Sequence, residues 1–334
     1  MDLRKVQLTG GSSITVTLPK AWVDKNEVRQ GDVVGMVEQA DGSLAIHPHA
    51  RGDREPQRYR MDSADSTADY LFRKIIAAYL MGYDAITIKG KGPLTTEARQ
   101  SIRRAVGRII GLEVIEEDLN SITVQDFLDP REFHMDKALR RMMMLTQAMQ
   151  QEALMTLQAP RAETLHSVRD RDDEVDRLYW LVNKQFHAIL RDVNFAVKME
   201  LTASQALNFL LLARLVERTA DHATRVAEQA LEVGASDRDK KTFALMEDQW
   251  KEATDLFKRA FEHFVRRDSR GADQVIEEAK AFSRGQERLL KAITALGGEE
   301  AAHLTFIAES IGRTAAYAAD MSEIAINHKV ALNA

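Results

Sequence analysis

Residues 213–223 read ARLVERTADHA, and 95 positions further along the chain residues 308–318 read AESIGRTAAYA. Over residues 213–230 the comparison gives seven identities in eighteen positions. Apolar residues around both copies recur every three or four positions, which is typical of amphipathic helices. The repeat therefore predicts a duplicated helical unit in this half of the chain.

The repeat lies in a region without strand-like alternation, which starts at Asp129-Pro130. We expect helix breaks near Pro160, near Asn194, at Gly234 to Ser236, at Gly271 and at Gly298. These breaks leave six long amphipathic helices with short connections, as in antiparallel bundles. We therefore predict a helical body of two related three-helix bundles, residues 130–234 and 237–330.

Two acidic pairs interrupt the apolar stripes of neighbouring helices in the first bundle. Asp172 and Asp176 fall on the stripe formed by Leu165, Val168, Val175, Tyr179, Val182, Phe186 and Ile189. Glu217 and Asp221 interrupt the stripe formed by Leu207, Leu210, Ala213, Ala220, Ala227 and Leu231. Carboxylates four residues apart share a helix face and repel by about 0.2–0.5 kcal/mol. Partial burial raises this cost, so a positive charge is expected between the helices.

Two kinds of cation could supply that charge. One is a metal ion held by Asp172, Asp176, Glu217 and Asp221, since carboxylates from facing helices bind metals in helical bundles. Hard oxygen ligands favour Mg²⁺, Mn²⁺ or iron, with zinc as a further candidate. The other is arginine, because Arg214, Arg218 and Arg225 lie nearby. His222 could add a nitrogen ligand, although a helical histidine beside a ligand more often faces its neighbours.

The run DDEVD at residues 172–176, followed by ERTADHA at residues 217–223, closely resembles the PhoU family of phosphate-uptake regulators. The resemblance implies two three-helix bundles with acidic motifs that bind metal ions. It also implies action on a phosphate ABC transporter, through its ATPase subunit. In the second repeat Gly312 replaces Glu217 and Ala316 replaces Asp221, with Ser283 and Glu287 the nearest matches to the other pair. A second metal site is therefore not expected.

The first fifty residues have the short alternating runs and turn clusters of β-strands, including a hairpin signal at Asp41-Gly42. The sequence RKVQLTGGSSITVTLPKAWVDKNEVRQGDVV, which begins at Arg4, resembles the AbrB/SpoVT swapped-hairpin family. The resemblance implies a head domain, residues 1–50, that forms a homodimer. It further implies DNA binding through basic side chains, here Arg4, Lys5, Lys20, Lys25 and Arg29. Residues 1–50 nevertheless carry five Lys/Arg against six Asp/Glu, so net charge does not favour phosphate binding.

Residues 56–126 alternate between strand-like and helix-like patterns, which predicts a small α/β linking segment. Its Lys89–Pro93 loop lacks the spacing and final Gly-Lys-Ser/Thr of a nucleotide-binding loop, so a connecting turn is favoured. Together with the head and the bundles, this predicts an α+β multidomain protein. The fusion of such a head to such a body resembles archaeal PhoU-type regulators.

The amino-acid composition excludes several classes of functional site. The chain has no cysteine, which excludes disulfides, thiolate metal sites and cysteine nucleophiles. Charged residues at the start and short apolar runs predict a cytoplasmic protein without a signal peptide or membrane span. We find no nucleophile–base set, so we expect a non-enzymatic regulator of phosphate uptake. A transcription factor with a ligand-sensing body and a carboxylate-bridged metalloenzyme are the alternatives, in that order.

Overall fold

The computed structural model describes residues 3–38, 42–48, 56–64, 66–129, 132–234 and 239–332. The chain divides into two compact units, Met1–Glu55 and Pro56–Ala334. The first unit is the head, and the second contains both the α/β segment and the helical body. Three positions of the sequence prediction lie outside the described residues: Asp41 of the expected hairpin, Pro130 at the start of the helical region, and Ser236 of one expected break.

The head consists of two antiparallel hairpins and one short helix. Its elements are β1 (Gln7–Thr9), β2 (Ser13–Thr15), α1 (Lys20–Lys25), β3 (Gly35–Glu38) and β4 (Leu44–His47). Gly10 and Gly11 adopt the left-handed conformation, with φ of 64° and 84°, that the turn between β1 and β2 requires. The predicted strand Ile14–Leu18 is shorter than expected because Thr15 already pairs with Gln7, the first residue of β1.

The α/β segment is a four-stranded sheet with two helices. Its elements are β5 (Arg58–Asp62), α2 (Ala68–Leu80), β6 (Ala85–Lys89), α3 (Thr96–Arg108), β7 (Leu112–Glu117) and β8 (Ser121–Asp126). The strand order is β5-β6-β8-β7, with β5 parallel to β6 and the other pairs antiparallel. Thr67 and Thr95 accept hydrogen bonds from the first turns of α2 and α3, so both helices begin where the sequence predicts.

Over residues 132–234 and 239–332 the helical body contains six long helices, as predicted, and one short helix. They are α4 (Met135–Gln158), α5 (Ala162–Arg191), α6 (Val193–Met199), α7 (Ala203–Val233), α8 (Lys240–Arg266), α9 (Ser269–Leu296) and α10 (Gly298–Ala331). Helices α4, α5 and α7 pack together, as do α8, α9 and α10. The two repeated segments, in α7 and α10, pack against each other, and the buried side chains of both bundles form one core.

The break expected near Asn194 falls at Asp192, whose side chain caps α6. Two details of the helical prediction are wrong. Gly271 lies inside α9, which begins earlier because Asp268 accepts a hydrogen bond from the Gly271 amide. Leu207, assigned to the buried stripe of α7, is 42% exposed; Ala206 is buried in its place.

Candidate functional site

Helices α5 and α7 bring four carboxylates, Asp172, Asp176, Glu217 and Asp221, into one electrostatic group, which we call the acidic cluster. Burial, followed by repulsion from Asp221 and Asp176, raises the pKa of Asp172 to about 7. Burial and repulsion from Asp221 also raise the pKa of Asp176 to about 6 and that of Glu217 to about 7. The acids of α5 and α7 therefore lie close enough to interact electrostatically.

The apolar packing of the two helices explains why these carboxylates are held away from water. Val175 lies between the two acids of α5 and is fully buried, and Ala220 lies between those of α7 and is also fully buried. The Glu217 side chain is only 13% exposed. Asp221 lies at the more exposed edge of the cluster.

Arginine neutralises the acidic cluster only in part. Arg214 donates to Glu217 Oε1 at 3.1 Å, whereas Glu217 Oε2 is buried without a hydrogen-bond partner among the described residues. Arg218 is hydrogen-bonded to Tyr317. Arg225 lies 3.6 Å from Glu309, outside the acidic cluster. Of the three arginines proposed from the sequence, only Arg214 therefore forms an ion pair with a member of the cluster within the described part of the chain.

A further cation comes from the α/β segment and was missed by sequence reasoning. Arg108, at the end of α3, pairs with Asp173, the neighbour of Asp172 on α5. Its positive charge also offsets part of the rise in the pKa of Asp176. Arg108 and Asp173 are 65 positions apart, and no pattern in the sequence connects them. Arg108 thus links the α/β segment to the helix that carries half of the acidic cluster.

The donors of the acidic cluster fit a hard divalent cation in chemistry, because all are carboxylate oxygens and one, Glu217 Oε2, is unpaired. Their spacing does not yet form a coordination shell. Among the described residues, no three or more His, Asp or Glu side chains are placed to hold a metal ion together. Binding of a metal would therefore require the side chains of the cluster to rotate toward one another.

His222 faces its neighbours instead of the cluster. Its Nδ1 lies 3.1 Å from Ser310 Oγ on α10, and its ring centroid lies 5.8 Å from that of Tyr317. Burial and then the charge of Arg225 lower the pKa of its imidazole. His222 is thus a contact between the two repeated helices.

The second bundle fills the equivalent position with a neutral side chain. A Cβ on Gly312, which aligns with Glu217, would lie 3.0 Å from Gln286 Nε2 on α9. Gln286 donates to the Ala308 carbonyl, so its amide occupies this part of the interface between α9 and α10. Ser283 and Glu287, the nearest matches to the other acidic pair, are both exposed. This region of the second bundle has no counterpart of the acidic cluster among the described residues.

The five basic residues predicted to contact DNA are all exposed in the head. Lys20 and Lys25 begin and end α1. The Arg29 amide donates to the Asp32 side chain at 2.7 Å, which fixes the turn before β3. The head also leaves large apolar side chains in solvent, and no residue among 3–38 and 42–48 is buried.

Two parts of the chain match known domain families. Residues 139–230, which span α4, α5 and α7, match the PhoU domain family. Residues 7–54 match the family described as "Antidote-toxin recognition MazE, bacterial antitoxin". The chain therefore carries a PhoU domain behind an N-terminal MazE/AbrB-like domain, as the two sequence resemblances predict.

Two solved structures that part of this chain is similar to are PhoU proteins. One is the phosphate transport system regulatory protein PhoU from Streptococcus pneumoniae, with a TM-score of 0.50, 13% identity, and coverage of 59% of this chain and 94% of that chain. The other is PhoU from Pseudomonas aeruginosa, with a TM-score of 0.47, 18% identity, and coverage of 58% and 94%. No curated protein matches the chain. Within the described residues, no helix is both long and apolar enough to cross a bilayer.

Proposed function

We propose that this protein is a non-enzymatic regulator of phosphate uptake that acts on the ATPase subunit of a phosphate ABC transporter in the cytoplasm. The observation that carries the proposal is that the PhoU match, residues 139–230, contains all four members of the acidic cluster. The Streptococcus pneumoniae protein of similar fold is described as regulating a phosphate transport system. The acidic cluster holds a buried carboxylate oxygen, Glu217 Oε2, without a hydrogen-bond partner among the described residues, which supports it as the place where a signal acts.

We further propose that the acidic cluster binds Mg²⁺, Mn²⁺ or iron, with zinc as a further candidate. Burial and then repulsion among the carboxylates raise the pKa values of Asp172, Asp176 and Glu217, which supports a cation site there. A divalent cation would relieve that repulsion and pair with Glu217 Oε2. The ion would order the α5–α7 surface, on which a transporter subunit could then dock.

The head supports two further proposals. Its exposed apolar side chains, such as Leu8 and Ile14 at 70% and 74%, support a homodimer that covers them. Its exposed Lys20, Lys25 and Arg29 support DNA binding by that dimer, which is the basis of the alternative function, a transcription factor with a ligand-sensing body. A carboxylate-bridged metalloenzyme is the second alternative.

Co-purification tests the main proposal. The tagged full-length protein should retain the transporter ATPase subunit, and a variant with all four acids of the cluster changed to their amides should retain less. Asp170→Asn, an exposed change on α5 outside the cluster, serves as the matched control. If wild-type protein retains no transporter component at low or high phosphate, the regulatory function is wrong.

Filter binding across a salt series tests the alternative. Each lysine or arginine that neutralises a phosphate should lower the salt slope by about 1 when it is removed. Lys20→Ala/Arg29→Ala should therefore lower the slope by about 2, whereas Lys240→Ala/Lys241→Ala, on α8, should not change it. Salt-independent binding by wild type to its own upstream DNA would leave the head as an oligomerisation domain only.

A further inference from the structure

A cavity of about 320 Å³ lies where α4 begins and where α6, α8 and α10 end. Its volume is at the lower end of the range for small-molecule sites, about 300–1,000 Å³. None of its lining residues belongs to the acidic cluster. It is therefore a separate feature of the helical body.

The floor of the cavity is built from three rings. The His328 ring, on α10, stacks on Phe264 of α8 with centroids 4.7 Å apart. Phe209 of α7 meets both rings edge to face, with centroids 5.5 Å apart in each case. Aromatic rings at these separations favour a further planar ring in offset or edge contact. The floor thus offers a surface for a flat ligand.

His328 supplies a polar group that the protein itself does not satisfy. The residue is only 5% exposed, and its Nδ1 has no hydrogen-bond partner among the described residues. A buried polar atom without a partner opposes folding, so native proteins rarely leave one. Burial and the charge of Arg267 lower the pKa of the His328 imidazole, so the neutral ring can accept or donate one hydrogen bond. A ligand in the cavity would provide the missing partner.

The rim of the cavity carries balanced charge. Arg140 and Arg267 contribute two positive charges, and Asp136 and Glu200 contribute two negative charges. All four side chains are exposed. The two acids would repel an anionic ligand, and the two arginines would repel a cationic ligand. A small molecule with one group of each sign fits this rim best.

We propose that the cavity binds a small zwitterion with a planar ring, of the chemistry of an aromatic α-amino acid. The ring lies against Phe209 and Phe264, a polar edge bonds to His328, the carboxylate faces Arg267, and the ammonium faces the acids of the rim. Because the lining residues come from helices of both bundles, the bound ligand would hold the two bundles together at this end. The cavity is thus a sensor site independent of the proposed metal.

Titration calorimetry of the full-length protein with L-tryptophan tests the proposal, with indole and adenine as comparison ligands. We expect tryptophan to bind with a dissociation constant below about 1 mM, and indole, which has the ring without the charges, at least tenfold more weakly. If indole binds as tightly as tryptophan, the charged groups of the ligand are not recognised, and the proposal of a zwitterionic ligand is wrong. Binding of adenine without tryptophan would assign an uncharged base instead, and no binding of any of the three would overturn the site.

Two variants separate the site from general stability. Arg267 has φ of 56°, a conformation that glycine adopts without strain, so Arg267→Gly removes the guanidinium while keeping the helix end. It should weaken tryptophan binding at least tenfold, whereas the neighbouring Arg266→Ala, outside the cavity, should change it less than twofold. His328→Phe keeps an aromatic ring without the nitrogen, and should lose binding while its circular dichroism stays that of wild type. Unchanged affinity in both Arg267→Gly and His328→Phe would show that tryptophan binds elsewhere.

Discussion

The carboxylate of Asp126, the last residue of β8, accepts a hydrogen bond from the ammonium of Lys184 on α5, with the two side chains only 3% and 8% exposed. The ammonium also lies 4.5 Å from the centroid of the Tyr79 ring of α2. This buried ion pair joins the α/β segment to the first bundle. On the same helix, Trp180 meets Phe72 of α2 edge to face. The α/β segment is thus anchored along α5, the helix that carries Asp172 and Asp176.

Breaking the Asp126–Lys184 pair should destabilise the protein strongly. Lys184→Met removes the cation and leaves a buried carboxylate, which costs about 3–5 kcal/mol when one partner is lost. Replacing both partners, as Lys184→Met/Asp126→Asn, removes the unpaired charge and should recover most of that loss. Urea unfolding of the two variants measures the difference. Equal stabilities would show that Asp126 reaches solvent and that the pair does not hold the segment in place.

Neutralising the acidic cluster should stabilise the protein at high pH. The pKa of Asp172 is about 7 in the folded protein, against an ordinary value of 3.8. Its favourable contribution to the free energy of unfolding is therefore complete below pH 3.8 and is lost as the pH rises through 7. Asp172→Asn removes that loss. One pKa unit corresponds to about 1.4 kcal/mol, and solvent screening reduces the full difference, so we expect a gain of roughly 1–2 kcal/mol at pH 8.

The pH dependence identifies the cause of that gain. At pH 5 most of the repulsion is already absent from wild type, so Asp172→Asn should gain little there. Contributions from histidines cancel because both proteins share them. Thermal melts at pH 5 and pH 8 give the comparison, with the exposed Asp170→Asn as control. A gain of the same size at both pH values would mean that packing, and not charge, limits stability at the cluster.

A divalent metal should stabilise the folded protein at pH 8. A ligand present at 100 times its dissociation constant adds about 2.7 kcal/mol of stability, and Mn²⁺ bound to the acidic cluster should act in this way. At pH 5 protons compete for the same oxygens, so the effect should shrink. The variant with Asp172, Asp176, Glu217 and Asp221 changed to alanine should remain helical and lose the response. Full metal content in that variant, by elemental analysis, would place the metal elsewhere.

Much of the fold could be predicted because it depends on local patterns. The repeat around ERTADHA and the apolar stripes beside it predict helices that the structure contains. The errors in helix boundaries came where tertiary contacts decide at which residue a helix begins. The left-handed Arg267 and the Asp268 cap start α9 before Gly271, whose Cβ would overlap His263.

The interaction between the acids of α5 and α7 could be predicted, but not their surroundings, and their role as a metal site stays a prediction. The spacing of four residues within each pair was enough to predict that the two acids of each helix share one face. The ion pair of Arg108 with Asp173 depends on how the α/β segment packs on α5, and the turn of Arg218 toward Tyr317 depends on how α10 packs on α7. Contacts between elements distant in the chain leave no periodic signal in a single sequence.

The head should dimerise through the apolar face of its first hairpin. Leu8 pairs with Ile14 across β1 and β2, and both side chains are largely exposed. Burying one such side chain fully is worth about 1.5–3 kcal/mol, so a dimer that covers this face recovers that energy on both chains. Leu8→Lys/Ile14→Lys places two charges there, and should raise the dissociation constant of the dimer more than 100-fold, equivalent to about 2.7 kcal/mol.

Analytical ultracentrifugation of the full-length protein distinguishes this interface from one on the bundles. Gln7→Lys is the matched control, since alternate residues of a strand face opposite sides and Gln7 lies on the other face of β1 from Leu8. It should sediment as wild type, whereas Leu8→Lys/Ile14→Lys should sediment as a monomer. Deletion of residues 1–50 should give the same monomer. If the point variant and the deletion both remain dimeric, the bundles hold the two chains together, because no apolar face of the head would then be left to do so.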